Sequence, residues 1–140
     1  MSKITPEEFE TILREALPFA QSMGTELVEL NAERTVVRLP YKRDFLRPGG
    51  TIGGPLLMAL ADIALYGAVM AALGRVDQAV TANLTINFLR RPPPADVVAK
   101  ACLLKVGKRL AVGEVELFSG EGPEMVAHVT ASYSLPPQSE

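Results

Sequence analysis

The residue in this chain best suited to chemistry is Asp62, the single charged side chain in nineteen residues from Pro55 to Leu73. An ionised carboxylate left buried and unpaired costs several kcal/mol, comparable with the ~5–15 kcal/mol stability of a whole domain. Asp62 must therefore be paired, be protonated or face a wet cavity. Backbone amides or an arginine would satisfy it structurally. At the border of an apolar pocket between subunits it could instead act as a general base for water or as a nucleophile toward an acyl carbon. Gly49, Gly50, Gly53 and Gly54 lead into the same stretch. They make a tight connection into a helix, and a helix start also offers unpaired N–H groups to an oxygen on which negative charge develops. A phosphate-binding loop is not indicated, because the spacing is not G-x-G-x-x-G and no Gly-Lys-Ser/Thr follows.

Positive charge is concentrated elsewhere. Arg90, Arg91, Lys100, Lys105, Lys108 and Arg109 fall within twenty residues that hold one acid, Asp96. The cluster reads either as a solvated turn face or as a site for an anionic group. Cys102 lies in the apolar run Ala101–Leu104 and reads as a small core residue. As the sole cysteine it forms no intramolecular disulfide, in keeping with a reducing, cytoplasmic location. His128, the sole histidine, alternates with polar residues of the last strand and is expected at the surface. A net charge of −2 gives no global reason to expect nucleic acid or an anionic membrane as partner.

The elements that must position these residues are written in local signals. Pro55 suits the first position of a helix and Gly74 the residue just past its end, so a helix of about 30 Å is expected between them. It is apolar all round, so protein or lipid must enclose it. Asp62 would be costly in a bilayer and no second span follows, which favours burial inside a protein. Upstream, Thr5-Pro6-Glu7-Glu8 is a capping box, and Phe9, Ile12, Leu13, Ala16, Leu17 and Ala20 make one apolar helical stripe. Glu26–Leu30 and Thr35–Leu39 read as strands, and 41–54 as loop. From Val80 to Phe88 the period becomes two, with Thr81, Asn83, Thr85 and Asn87 on one face. Three prolines end that strand, and long strands over about 97–106, 110–118 and 125–135 complete an antiparallel meander curved around the central helix. One α+β domain over 1–140 results, with disorder expected from about 136.

This order of elements resembles the hotdog fold and, within it, the PaaI-like acyl-CoA thioesterases, over nearly the whole chain. The segment GTIGGPLLMALAD, Gly50 to Asp62, is similar to the family's glycine, two residues, His-Gly-Gly and a helix carrying Leu-x-Asp. VTANLTINFLRRP, Val80 to Pro92, resembles the strand that follows, and KVGKRLAVGEVEL, Lys105 to Leu117, the hairpin with Gly-Lys at its turn. The resemblance implies hydrolysis of an acyl-CoA thioester to a free acid and coenzyme A, with no metal and no cofactor beyond the coenzyme A of the substrate.

In that reading Asp62 is base or nucleophile, the Gly54 amide polarises the carbonyl, and Thr81 of the neighbouring subunit assists the water, with Asn83 following on the same strand face. Arg90, Arg91, Lys108 and Arg109, at strand ends, are the expected phosphate contacts. The resemblance further implies a homodimer or homotetramer with sites between chains, Asp62 coming from one and Thr81 from the other. The chain departs from the family at two places: Gly53 stands where the family has histidine, and Arg47 where it often has asparagine. Arg47 could pair with Asp62 or reach the substrate. A non-catalytic acyl-CoA-binding protein of the same fold is the alternative these departures suggest.

Overall fold

The computed structural model describes residues 1–120 and 122–137; the expected disorder of the last residues falls on 138–140, outside them, and on the two prolines just before. Helix α1 (Pro6–Glu15) starts as the capping box predicts: the Glu8 N–H donates to Thr5 Oγ1 and the Thr5 N–H to Glu8 Oε1. The apolar stripe does not continue as one helix. Pro18 has no N–H to donate and forces Leu17 out of the helical region, to φ −126° and ψ 75°, so a second short helix, α2 (Pro18–Met23), sets off in a new direction. Gly24, at φ 82°, closes α2 in the left-handed conformation that glycine adopts most readily.

Strands β1 (Glu26–Leu30) and β2 (Thr35–Leu39) pair around a turn that Asn31 caps, its Oδ1 accepting from the N–H groups of Glu33 and Arg34. The segment expected as loop contains a two-residue ladder, β3 (Leu46–Arg47) against β4 (Thr51–Ile52). Helix α3 (Gly54–Leu73) follows, and then β5 (Val80–Phe88), β6 (Val97–Val106), β7 (Leu110–Ser119) and β8 (Met125–Ser134). The six long strands form one antiparallel sheet in the order β1-β2-β6-β7-β8-β5. This corrects the simple meander. Of the last four strands only β6, β7 and β8 follow one another in the sheet, whereas β5 lies at the far edge against β8 and the proline-rich segment 89–96 returns the chain to the middle of the sheet.

Helix α3 is long and apolar enough to cross a membrane, yet twelve of its residues are buried within the protein, which encloses it as the sequence reading required. Its neighbours are small. Ala99, Ala101, Ala111, Ala127 and Ala131 are buried, and a Cβ added to Gly113 would collide with Leu65 Cδ1 and lie 2.8 Å from the Cys102 carbonyl oxygen. The sheet therefore approaches α3 closely, and the depth of Asp62 in the fold is set by that approach.

Candidate active site

Asp62 lies in the middle of α3 and is half-buried. Its Oδ1 accepts from the Thr81 hydroxyl at 2.7 Å and from the Tyr133 hydroxyl, which also lies 2.9 Å from the Asp62 main-chain carbonyl. Among the described residues Oδ2 has no protein partner. Burial first, and then the Asp62 carboxylate, push the Tyr133 phenol far above its ordinary value, so the phenol stays protonated and donates. The Tyr133 ring stacks on Tyr66 at 6.0 Å, and the Tyr66 hydroxyl donates to the Asp77 carbonyl at 3.2 Å. A cavity of about 320 Å³ opens beside the carboxylate, lined by Leu17, Phe19, Ala59, Ile63, Tyr66 and Val80 among others. The proline break after α1 matters here, because it brings Phe19 of α2 to that lining.

A β-bulge explains how Thr81 reaches Asp62. Thr81 pairs with Tyr133 and Asn83 with Ser132, so the register slips between them and Ala82 is the extra residue. Thr81 therefore turns toward α3 with Tyr133, while Asn83 shares the outer face with Ser132. Strict alternation had placed the two together. Asn83 is not in the cavity, and Thr81 meets the aspartate of its own chain, which corrects the expected assignment of these two residues to different subunits.

Gly54 is the first residue of α3, after an extended Gly53 at φ −66° and ψ 139° that contributes no side-chain cap. Its N–H belongs to the unpaired first turn. It opens on a second cavity, about 620 Å³, lined by Arg47, Arg90, Arg91, Phe88 and Leu89 among others. Arg47 does not pair with Asp62: it sits on β3 at this second cavity. Arg90 bonds Glu124 at 2.9 Å, and the Arg91 guanidinium lies 3.5 Å from the Gly49 carbonyl oxygen. Gly54 and Asp62 are eight residues apart on one helix, about 12 Å along its axis.

Lys108 and Arg109 occupy the opposite end of the sheet. They form the β6–β7 turn, where the Arg109 carbonyl accepts from the Leu135 N–H and Leu110 pairs with Ser134, itself paired with Val80. The four expected phosphate contacts are thus split within one chain, two at the end of the sheet where β5 begins and two near Gly54. His128 and Cys102 lie on the outer sheet face. His128 Nε2 is 2.8 Å from Glu114 Oε1, and burial, then Glu114 and Glu116, raise the Cys102 thiol above its ordinary value. Cys102 is half-buried beside Glu114 and not in the core around α3, since its register puts it on the face opposite Ala101.

Tyr133 is the site residue that the sequence reading missed. The available signal was a tyrosine on the inward face of a strand whose other inward residues are Ala127, Val129 and Ala131, because a buried phenol requires a hydrogen-bond partner.

Comparison with known proteins identifies the family and the fold. Residues 49–126 match the family model described as the thioesterase superfamily, a span that includes Gly54, Asp62 and Thr81. A Saccharolobus solfataricus protein named "putative esterase" is 30% identical over 113 residues, 81% of this chain and 80% of its own. A crystal structure of a "putative thioesterase" from Silicibacter sp. TM1040 superposes with a TM-score of 0.88 at 37% identity, over 98% of this chain and 95% of that one. A mutant structure of the phenylacetic acid degradation protein PaaI from Thermus thermophilus gives 0.76 at 30% identity, over 85% and 99%. The long helix within an antiparallel sheet is the hotdog fold, and the chain belongs to the thioesterase superfamily.

Proposed function

We propose that the protein hydrolyses an acyl-CoA thioester to a carboxylic acid and coenzyme A, at sites shared between two chains. The observation that carries this reading is the disposition of β5. Among the described residues it is an edge strand with a free ladder of N–H and C=O groups, and Val80, Phe88 and the following Leu89 are exposed. Its first residues border the Asp62 cavity and its last residue borders the Gly54 cavity. Antiparallel pairing of two β5 strands about a two-fold axis sets the start of one against the end of the other. The Asp62 cavity of each chain then faces the Gly54 cavity of its partner. Within one chain the separation of about 12 Å between the carboxylate and the amide is too long for both to act on one carbonyl; across the pair it no longer applies.

In the shared site Asp62 takes a proton from water as the water oxygen bonds to the thioester carbon. The carbonyl electron pair moves to its oxygen, which accepts from the Gly54 N–H of the second chain, with that chain's Arg47 close by. Collapse re-forms the C=O bond and breaks the C–S bond, and Asp62 returns its proton to the leaving thiolate. Attack by Asp62 itself, through a mixed anhydride that water then opens, needs the same groups; in single turnover in ¹⁸O-labelled water, label found in Asp62 marks the anhydride route opened at the aspartyl carbon. The apolar cavity beside Asp62 receives the acyl group. Lys108 and Arg109 of one chain and Arg90 and Arg91 of the other flank the entrance, where the coenzyme A phosphates need positive charge.

The test is release of free thiol from short, medium, long and aromatic acyl-CoAs by wild type and Asp62→Asn. Turnover of at least one substrate, falling about a hundredfold or more in Asp62→Asn, supports the reading. A wild type inactive on every substrate, yet stabilised thermally by coenzyme A, overturns it in favour of the binding protein that Gly53 and Arg47 suggest.

A further inference from the structure

The environment of Asp62 holds more than a base and its cavity. Two hydroxyls from two different strands, Thr81 on β5 and Tyr133 on β8, converge on one oxygen of the carboxylate and leave the other without a protein partner among the described residues. A carboxylate turns easily about its last side-chain torsion, which has broad preferences, so one donor alone would leave its plane loosely defined. Donors from two directions fix it. We propose that Tyr133 is a positioning residue for the hydrolysis, holding Asp62 Oδ1 jointly with Thr81 so that Oδ2 is the oxygen that meets the water.

The inference rests on the function proposed above. It is carried by features that burial of a tyrosine does not by itself require. A phenol in the interior needs one acceptor, and the Asp62 main-chain carbonyl at 2.9 Å would be enough, yet the phenol also reaches the carboxylate. Tyr133 is only 3% exposed and its ring lies nearly parallel to Tyr66, at 16°, and Tyr66 is one helical turn beyond Asp62. The Tyr66 hydroxyl is in turn anchored on the Asp77 carbonyl, and Arg75 holds the Asp77 carboxylate with two bonds of 2.7 and 2.9 Å. The ring thus has little freedom to carry its hydroxyl away from Asp62. The bulge that turns Thr81 inward serves the same oxygen from the other side.

The experiment measures kcat and KM separately for Tyr133→Phe, Thr81→Val and the double variant, on whichever acyl-CoA the wild type turns over. Phenylalanine keeps the stacked ring, and valine keeps the branched shape of threonine and suits a strand, so neither change threatens folding. Each single variant is expected to lose about tenfold to a hundredfold in kcat, the scale of one hydrogen bond to a charged group, with KM within about twofold of wild type. The double variant is expected to fall to the level of Asp62→Asn, and by more than the product of the single losses, because a carboxylate with one donor left is still partly held.

A Tyr133→Phe enzyme with kcat within about twofold of wild type overturns the proposal, as does one whose loss lies entirely in KM. So does a double variant whose loss is simply the product of the singles, since independent effects would then explain both residues. Failure of the underlying reading looks different: the wild type itself would release no thiol from any acyl-CoA.

Discussion

At its first turn α3 offers a bare amide among three guanidinium groups; two turns further on it offers a carboxylate held by two hydroxyls. The first region is wide, positively charged and built from loop and strand ends: Arg47, Arg90 and Arg91 around Gly54. The second is smaller and mostly apolar, with Tyr66 and Tyr133 packed beside the acid. The separation has a physical use. An arginine bonded to Asp62 would hold it ionised and weaken it as a base, whereas here the arginines gather around Gly54, which is about 12 Å from Asp62 along the helix. Each region lacks what the other has. In the proposed reaction one stabilises an oxyanion and the other moves a proton, and the proposed pairing of two chains would bring the unlike ends together.

The sharpest way to break this comparison is to mix inactive chains. Gly54→Pro removes the amide proton at a position where the extended Gly53 before it already suits proline. Alone it should cost about a hundredfold to a thousandfold in kcat, the effect of deleting one oxyanion donor. Mixed dimers of Asp62→Ala with Gly54→Pro should regain activity at one site of the two, because that site draws both intact groups. Mixed Asp62→Ala and Thr81→Ala chains should regain none, since those residues serve the same site from the same chain. Rescue in the second mixture and not the first would show that the halves are divided the other way.

Arg47→Ala sharpens the comparison with a smaller effect, about tenfold in kcat/KM, because a guanidinium beside the carbonyl adds to the amide without replacing it. Gly113→Ala probes the other region through packing. Its methyl group would collide with Leu65 and the Cys102 carbonyl, so about 1–3 kcal/mol of stability should be lost, read as a lower Tm. Because Leu65 is one turn from Asp62 and about three from Gly54, the variant should impair proton transfer before it impairs oxyanion binding. An unchanged Tm would show that the sheet has room to retreat from the helix.

Much of this layout is legible in the sequence because its signals are local. The capping box at Thr5 and Glu8, proline and glycine at the ends of α3, and the alternation that marks the strands each report on a few neighbouring residues, and the elements form where they stand. Pro18 is equally local and breaks the first helix as proline chemistry requires; an apolar stripe running across it conceals the break. The bulge at Ala82 is harder to read. Nothing within VTANLTINF shows that one residue is unpaired, because a bulge is a relation between two strands and its partner lies on β8, far along the chain. The outward turn of Asn83 follows from that pairing alone.

The sequence by itself determined that one charged residue would sit within a long buried helix, that glycines would open that helix, and that strands would wrap it, since propensity and period act over a turn or two of chain. Only the tertiary structure decided what Asp62 touches. Sheet order put β5 at an edge, register brought Tyr133 and Thr81 to one oxygen, and the path of β3 carried Arg47 to Gly54 and away from the acid. These are choices among partners distant in sequence, made by which segments can share hydrogen bonds and close packing in the folded chain.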